Sequence, residues 1–303
     1  MLSNKYRQFN TIILTVYTKL LLIISLSILA LIFSNSAIEQ SYSINIDQEA
    51  AAAKLSGVDK FGIKEIYPTK EGGREWFMNM SKPLGDNAFS LTFNQNITRQ
   101  SDGGWRISGP AVRMNVNTPP GLPQWKNVEI TGYAKIIDVL PDHNSTVKDE
   151  DLSWYARGGR HNTQVPCEAT AYIGGIYVGG SVGWKKELWF TGGYTDEKGP
   201  EKVTSPLIGR WIGWKVIMYN INNDTAVKLE SYIDNTNTNY WIKVTDLVDD
   251  GGWYSKSDDN EFNSAPCGRD KDYVVTNAGP IATFRSDNLT WDFMNLSIRE
   301  INP

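Results

Sequence analysis

Between positions 155 and 161 the chain reads Tyr155-Ala156-Arg157-Gly158-Gly159-Arg160-His161, and His161 is one of only two histidines in 303 residues. Side chains alternate along an unbroken strand, so Tyr155, Arg157 and His161 would share one side. A bulge at Gly158-Gly159 would instead bring Arg160 to that side. Either arrangement gathers guanidinium, phenol and imidazole within a few residues, a set suited to an acidic sugar. An arginine grips a uronate carboxylate through two parallel hydrogen bonds. Neutralising that carboxylate makes the neighbouring C5 proton more acidic. A neutral His161 then takes the proton, and a tyrosine hydroxyl (Tyr155, Tyr172 or Tyr177) protonates the leaving oxygen. Such a β-elimination needs no metal and no cofactor. The competing reading pairs Arg157 and Arg160 with Asp149, Glu150 or Glu168 and leaves His161 in a loop. The other histidine, His143, sits in the turn composition Leu140-Pro141-Asp142-His143-Asn144.

A second cluster, Trp184-Lys185-Lys186-Glu187-Leu188-Trp189, alternates charge and aromatic. As a strand it puts Lys185, Glu187 and Trp189 on one face and Lys186 and Leu188 on the other. A flat ring beside hydrogen-bonding groups can stack on a pyranose, although tryptophans such as Trp154, Trp241 and Trp253 also serve as core. Arg113, on an earlier strand candidate, adds a further cation for substrate. Glu168 and Glu187 would be the acid pair of a hydrolase if they stood about 5–9 Å apart. The acidic loops Asp249-Asp250-Gly251-Gly252 and Asp258-Asp259-Asn260 read as solvated turns, with a structural calcium ion as the alternative.

The elements that must position these groups read as strands. Period-two runs recur between Gly, Asn and Asp clusters: Trp105–Val116, Val128–Val139, Leu152–Ala156, Ala169–Ile173, Lys185–Thr191, Trp211–Tyr219, Ala226–Asp234, Tyr240–Val248, Ala282–Arg285 and Trp291–Ile301. In Ala226–Asp234, Val227, Leu229 and Ile233 share one face and Lys228, Glu230, Tyr232 and Asp234 the other. In the last run, Met294, Leu296 and Ile298 alternate with Phe293, Asn295, Ser297 and Arg299. No stretch after the N-terminus sustains a 3.6-residue apolar period. Strands without intervening helices cannot pair in parallel, because each parallel crossover needs a dozen or more residues. The expectation is an all-β, antiparallel two-sheet sandwich over residues 60–303, preceded by a linker over 38–59.

Residues 1–37 carry Lys5, Arg7 and Lys19, no acid, an apolar run from Leu20 to Phe33 and then small residues. That is the layout of an export signal. If Thr11–Tyr17 joins the run, an uncleaved N-terminal anchor becomes the alternative and the chain's only membrane contact. Both place the remainder outside the cytoplasm, where Cys167 and Cys267, the only two cysteines, are expected to form a disulfide. Sequons at Asn79, Asn96, Asn144, Asn223, Asn288 and Asn295 agree with an exported glycoprotein.

Composition closes other routes. A net charge of -4 argues against nucleic acid as partner, which demands a basic surface. Apolar residues at 41% supply a core and exclude a disordered chain. The 11 Trp and 14 Tyr are a large stock of amphipathic rings, the equipment of sugar binding and interfaces.

Three phrases carry a family resemblance: Gly209-Arg210-Trp211-Ile212-Gly213-Trp214-Lys215, Val227–Asp234 and the closing Trp291–Glu300 strand. They resemble strands of the concanavalin A-like lectin and glucanase superfamily. The segment Tyr155–His161 with Cys167-Glu168 is similar to exported jelly-roll proteins grouped with polysaccharide lyases. The resemblance implies a concave sheet face that receives a polysaccharide. The superfamily's hydrolase motif E-x-D-x-x-E is missing. Of the alginate lyase motifs only analogues occur, in Arg106 and Arg113, Arg157 with His161, and Tyr172 or Tyr177. The expected function is therefore an exported, metal-independent lyase of an acidic polysaccharide. A non-catalytic carbohydrate-binding or adhesion protein is the alternative, and a glycoside hydrolase the third reading.

Overall fold

The computed structural model describes residues 57–92, 95–141, 150–160, 164–165, 167–168, 171–188, 194–254, 269 and 272–303. The chain divides into two compact units, Met1–Gly62 and Ile63–Pro303. The expected signal over 1–37, and nearly all of the linker over 38–59, lie outside the described residues. In the first unit only Gly57–Gly62 is described, with Asp59 accepting the Phe61 amide at 2.8 Å.

Among the described residues thirteen strands build the second unit: β1 (Glu75–Phe77), β2 (Phe89–Leu91), β3 (Thr98–Arg99), β4 (Trp105–Asn117), β5 (Val128–Val139), β6 (Asp151–Gly158), β7 (Ala171–Tyr177), β8 (Ser181–Glu187), β9 (Lys198–Lys202), β10 (Ile212–Ile221), β11 (Ala226–Asp234), β12 (Ile242–Asp249) and β13 (Ile281–Glu300). All strand pairs are antiparallel, in the order β12-β11-β10-β5-β13-β6-β7-β8-β9, with β4 along β13 and β1, β2 and β3 flanking. The sheet folds on itself because β13 changes neighbours. Its first part pairs with β6 and its second with β5. Two layers result, in which β10 packs against β7, β12 against β8 and β5 against β6. The expected all-β antiparallel sandwich is the architecture found.

The inward faces supply one apolar core, including Trp154 and Phe284 from one layer and Trp214 and Leu296 from the other. Glycines let the layers approach. A Cβ at Gly132 would meet Trp154 and Leu296, and one at Gly174 would meet Val216. Polar ties also cross the gap: Trp184 Nε1 donates to Thr245 at 2.9 Å, and Lys186 pairs with Asp249 at 2.9 Å.

The alternation expected for Ala226–Asp234 holds, with Val227, Leu229 and Ile233 in the core. The alternation expected for Trp291–Ile301 does not. Trp291 and Phe293 point inward, and so do Leu296 and Ile298. Asn295 has φ 54, and the β5 register slips between Met294 and Ser297. This bulge shifts the inward set by one residue, and asparagine tolerates its left-handed backbone. Asn288, with φ 51, marks a second parity change, between Phe284 and Leu289. Two of the six sequon asparagines thus shape the strand that joins the layers.

Candidate functional site

The two outward faces differ. On the face made by β5, β10, β11 and the end of β13, the lead-in Ile63–Thr69 bonds to the strand side chains. Ile66 N donates to Glu129 at 3.2 Å, and the Tyr67 hydroxyl donates to Glu230 at 3.1 Å. Beneath it Glu129 pairs with Lys215 at 2.8 Å and with Arg299 at 2.9 Å, and Arg299 reaches Glu65 at 3.1 Å. Lys215, Glu129 and Arg299 are all buried. Burial alone would raise the Glu129 pKa, but Lys215 and Arg299 outweigh it and hold the carboxyl low. Every charge here has a partner, so this face is closed.

The other face, made by β4, the start of β13, β6, β7 and β8, carries ordered rungs. One rung runs Arg113, Arg285, Ser153, Gly175, Gly183, and the next Asn115, Thr283, Tyr155, Ile173, Lys185. Five strands at about 4.8 Å spacing span roughly 19 Å, the length of an extended ligand. Arg113 and Arg285 share the single carboxylate of Asp287, at 2.7 and 2.6 Å. The trio by itself carries one net positive charge, and Asp151 is a further carboxylate close enough to help raise the Arg285 pKa. Arg285 also donates to the Tyr194 hydroxyl at 3.0 Å; Tyr194 keeps 41% of its surface exposed, yet its hydroxyl is partly desolvated. Lys185 lies 5.5 Å from the Tyr177 ring, and Tyr177 donates to Glu197 at 2.6 Å. A Cβ on Gly175 would come 2.8 Å from Asp151 Oδ2, and one on Gly183 would collide with Glu197. Only glycine lets these carboxylates lie across the strands.

Electrostatics assign the protons. Burial raises the Tyr155 pKa, and burial with Glu187 nearby raises that of Tyr194. Both phenols stay protonated near neutral pH and can donate. Burial raises Asp151 against the opposing pull of Ser153, Arg285 and Lys185. Burial would lower Arg285, but Tyr194, Asp287 and Asp151 outweigh it and raise its pKa.

Of the residues picked from sequence, Arg113, Tyr155, Tyr177, Lys185 and Glu187 share this outward face, with Tyr155 and Glu187 buried within it. His161 and Trp189 lie outside the described residues. Three expectations are corrected. Arg157 does not continue the pleat: its φ is 69, and the bulge falls on it rather than on Gly158-Gly159. It is 1% exposed and donates to the carbonyls of Lys126 (2.8 Å) and Val275 (2.6 Å). Tyr172 points inward, fully buried, and donates to Asp249 at 2.5 Å, so it cannot protonate a leaving group on the outer face. Arg160 forms a forked ion pair with Glu168, which takes both from the expected site and removes Glu168 as a hydrolytic acid. In the first acidic loop Asp249 is committed to Lys186 and Tyr172 while Asp250 beside it is exposed; Asp258, Asp259 and Asn260 lie outside the described residues. Among the described residues no cluster of His, Cys, Asp and Glu could hold a metal ion. Cys167 is in its disulfide-bonded form, and Cys267 lies outside the described residues.

Arg285, Tyr194, Asp151 and Asp287 were missed in the sequence. One signal was there: in Phe284-Arg285-Ser286-Asp287 alternation puts Arg285 and Asp287 on one face. Their meeting with Arg113 needs the strand order, which alternation does not carry.

Rung geometry and the Arg113–Asp287–Arg285 trio define a polar, ring-bearing sheet face on an all-β sandwich. No family model matches the chain. No curated protein matches it either. Among solved structures it is similar to an endo-β-1,4-glucuronan lyase from the fungus Trichoderma reesei, at 7% identity, covering 71% of this chain and 91% of that one, with TM-score 0.42. It is similar also to basic winged bean lectin at 8% identity, covering 75% and 97%, with TM-score 0.40. A Bacillus subtilis protein with a galectin-like fold gives 9% identity, 76% and 100% coverage, and TM-score 0.43. At these values the likeness carries no argument about activity, and the fold rests on the strand pairing itself.

Proposed function

We propose that this protein binds an acidic polysaccharide along the outward face of β4, β13, β6, β7 and β8. The observation that carries the reading is the Arg113–Asp287–Arg285 trio beside Tyr155 and Tyr194. Two fork-shaped donors share one carboxylate, so a uronate carboxylate on the ligand would complete the pairing. The finer proposal is β-elimination. Arg285 neutralises the uronate carboxylate and so acidifies the C5 proton, His161 takes that proton, and Tyr155 or Tyr194 protonates the leaving oxygen. The C5–H electron pair becomes the new double bond as the C4–O bond breaks, so no oxidant enters. Export directed by residues 1–37 belongs to the same proposal, because such polymers lie outside the cell.

The test is incubation with glucuronan and with alginate, following the ultraviolet absorbance of the unsaturated product. The lyase reading expects absorbance to rise with wild type and to fall sharply in Arg285→Ala and in His161→Ala. Retention on the polymer without any rise would establish the second reading, a non-catalytic binder using the same face. Absence of both retention and product would remove the proposal.

A further inference from the structure

Arg157 left the outward face but did not become an ordinary core residue. Among the described residues it contacts no carboxylate: its partners are two carbonyls, the Asn127 side chain at 3.4 Å and the Tyr172 ring at 5.9 Å. A guanidinium carries five N–H donors, and two of these have no acceptor among the described residues. Arg157 lines a pocket of about 230 Å³ together with Gln124, Arg269, Asn277, Glu168 and Gly159. The one carboxylate in that wall, Glu168, is gripped by Arg160. The amide of Gln124 makes no hydrogen bond to any described residue. An adjoining recess of about 280 Å³ shares Gln124 and adds Lys70.

The wall is also rigid. Gly279 sits so close that a Cβ there would overlap the Arg157 backbone, and Arg157 holds a left-handed φ of 69 without being glycine. Left-handed backbone at a non-glycine residue is costly and persists only where the surroundings enforce it. Burial pushes the Arg157 pKa down to about 10, with Tyr172, Asp224 and Tyr273 only partly offsetting it.

We infer that this pocket binds a small carboxylate, with Arg157 as countercharge and Gln124 as a hydrogen-bonding partner. Its volume lies below the roughly 300–1,000 Å³ of drug-sized sites, so it suits one small group. A single uronic acid unit is the example we name, and that identity rests on the function proposed above. The carboxylate chemistry does not.

The experiment is calorimetric titration of the full chain carrying Arg113→Ala, which disables the outward face and isolates the pocket. The probes are glucuronate, acetate and glucose. Binding of glucuronate without glucose is the expected result. Acetate binding as well supports the same carboxylate site. Gln124→Leu should weaken glucuronate roughly tenfold, the usual effect of losing a hydrogen bond to a charged group. Arg157→Lys, which keeps charge but loses the fork, should weaken it at least as much; should that variant fail to fold, Gln124→Leu decides alone. No heat from either carboxylate, or binding indifferent to Gln124→Leu, would overturn the inference. A pocket that binds glucuronate in a protein that ignores glucuronan would refute the proposed function and leave this site standing.

Discussion

The two outward faces of the sandwich are built from similar residues, yet they divide their charges differently. On the sealed face Glu129, Lys215 and Arg299 sit under the lead-in, each paired within about 3 Å. On the other face Arg113 and Arg285 divide one aspartate, and a tyrosine stands partly exposed beside them. The lesson is one of charge balance: a fully paired network needs no ligand, while a half-paired one has a donor to offer.

Breaking the sealed face should have the largest effect. Lys215→Met leaves Glu129 and Arg299 to rearrange in a buried site, at about 3–5 kcal/mol, the usual cost of removing one member of a buried pair. Urea unfolding would show it as a large drop in midpoint. Tyr67→Phe, which removes the lead-in's hydrogen bond to Glu230, should cost about 1.5–3 kcal/mol by the same method. Arg113→Ala on the other face should cost no more than about 1 kcal/mol, since its ion pair is partly solvated, while glycan binding weakens at least tenfold. A stability loss matching that of Lys215→Met would erase the distinction between the faces.

Acid titration sharpens the comparison through opposite signs. Glu129 is held below its ordinary value of 4.5, so its contribution is present above that value and lost as pH falls through the lower folded value. Asp151 is raised above its ordinary 3.8, so its contribution is present below that value and lost as pH rises through the higher folded value. Measured against wild type from acid to neutral pH, Glu129→Gln should lose stability with rising pH and Asp151→Asn should gain it. The smallest effect is expected from Arg160→Ala: its pair with Glu168 lies at the surface, and unfolding should not change measurably.

Much of this was legible in the sequence where a strand is regular and one-sided. Val128–Val139 and Ala226–Asp234 have the bounds that alternation predicts, and the outward places of Arg113, Tyr155, Lys185 and Glu187 follow from the same rule. Legibility stopped at the left-handed residues. Arg157 and Asn295 invert the faces beyond them, and neither is a glycine that would have announced it. Long-range pairing was equally hidden. Arg113 and Arg285 meet because β4 lies beside β13, and Tyr172 is buried because β7 faces the layer that carries Asp249.

The most direct test of a single glycan-receiving face is hydrogen–deuterium exchange with and without glucuronan. Our account predicts slowed exchange in Asp151–Gly158, Ala171–Tyr177 and Ser181–Glu187, and no change in Ile212–Ile221 or Ala226–Asp234. Protection confined to the latter pair of strands would contradict it.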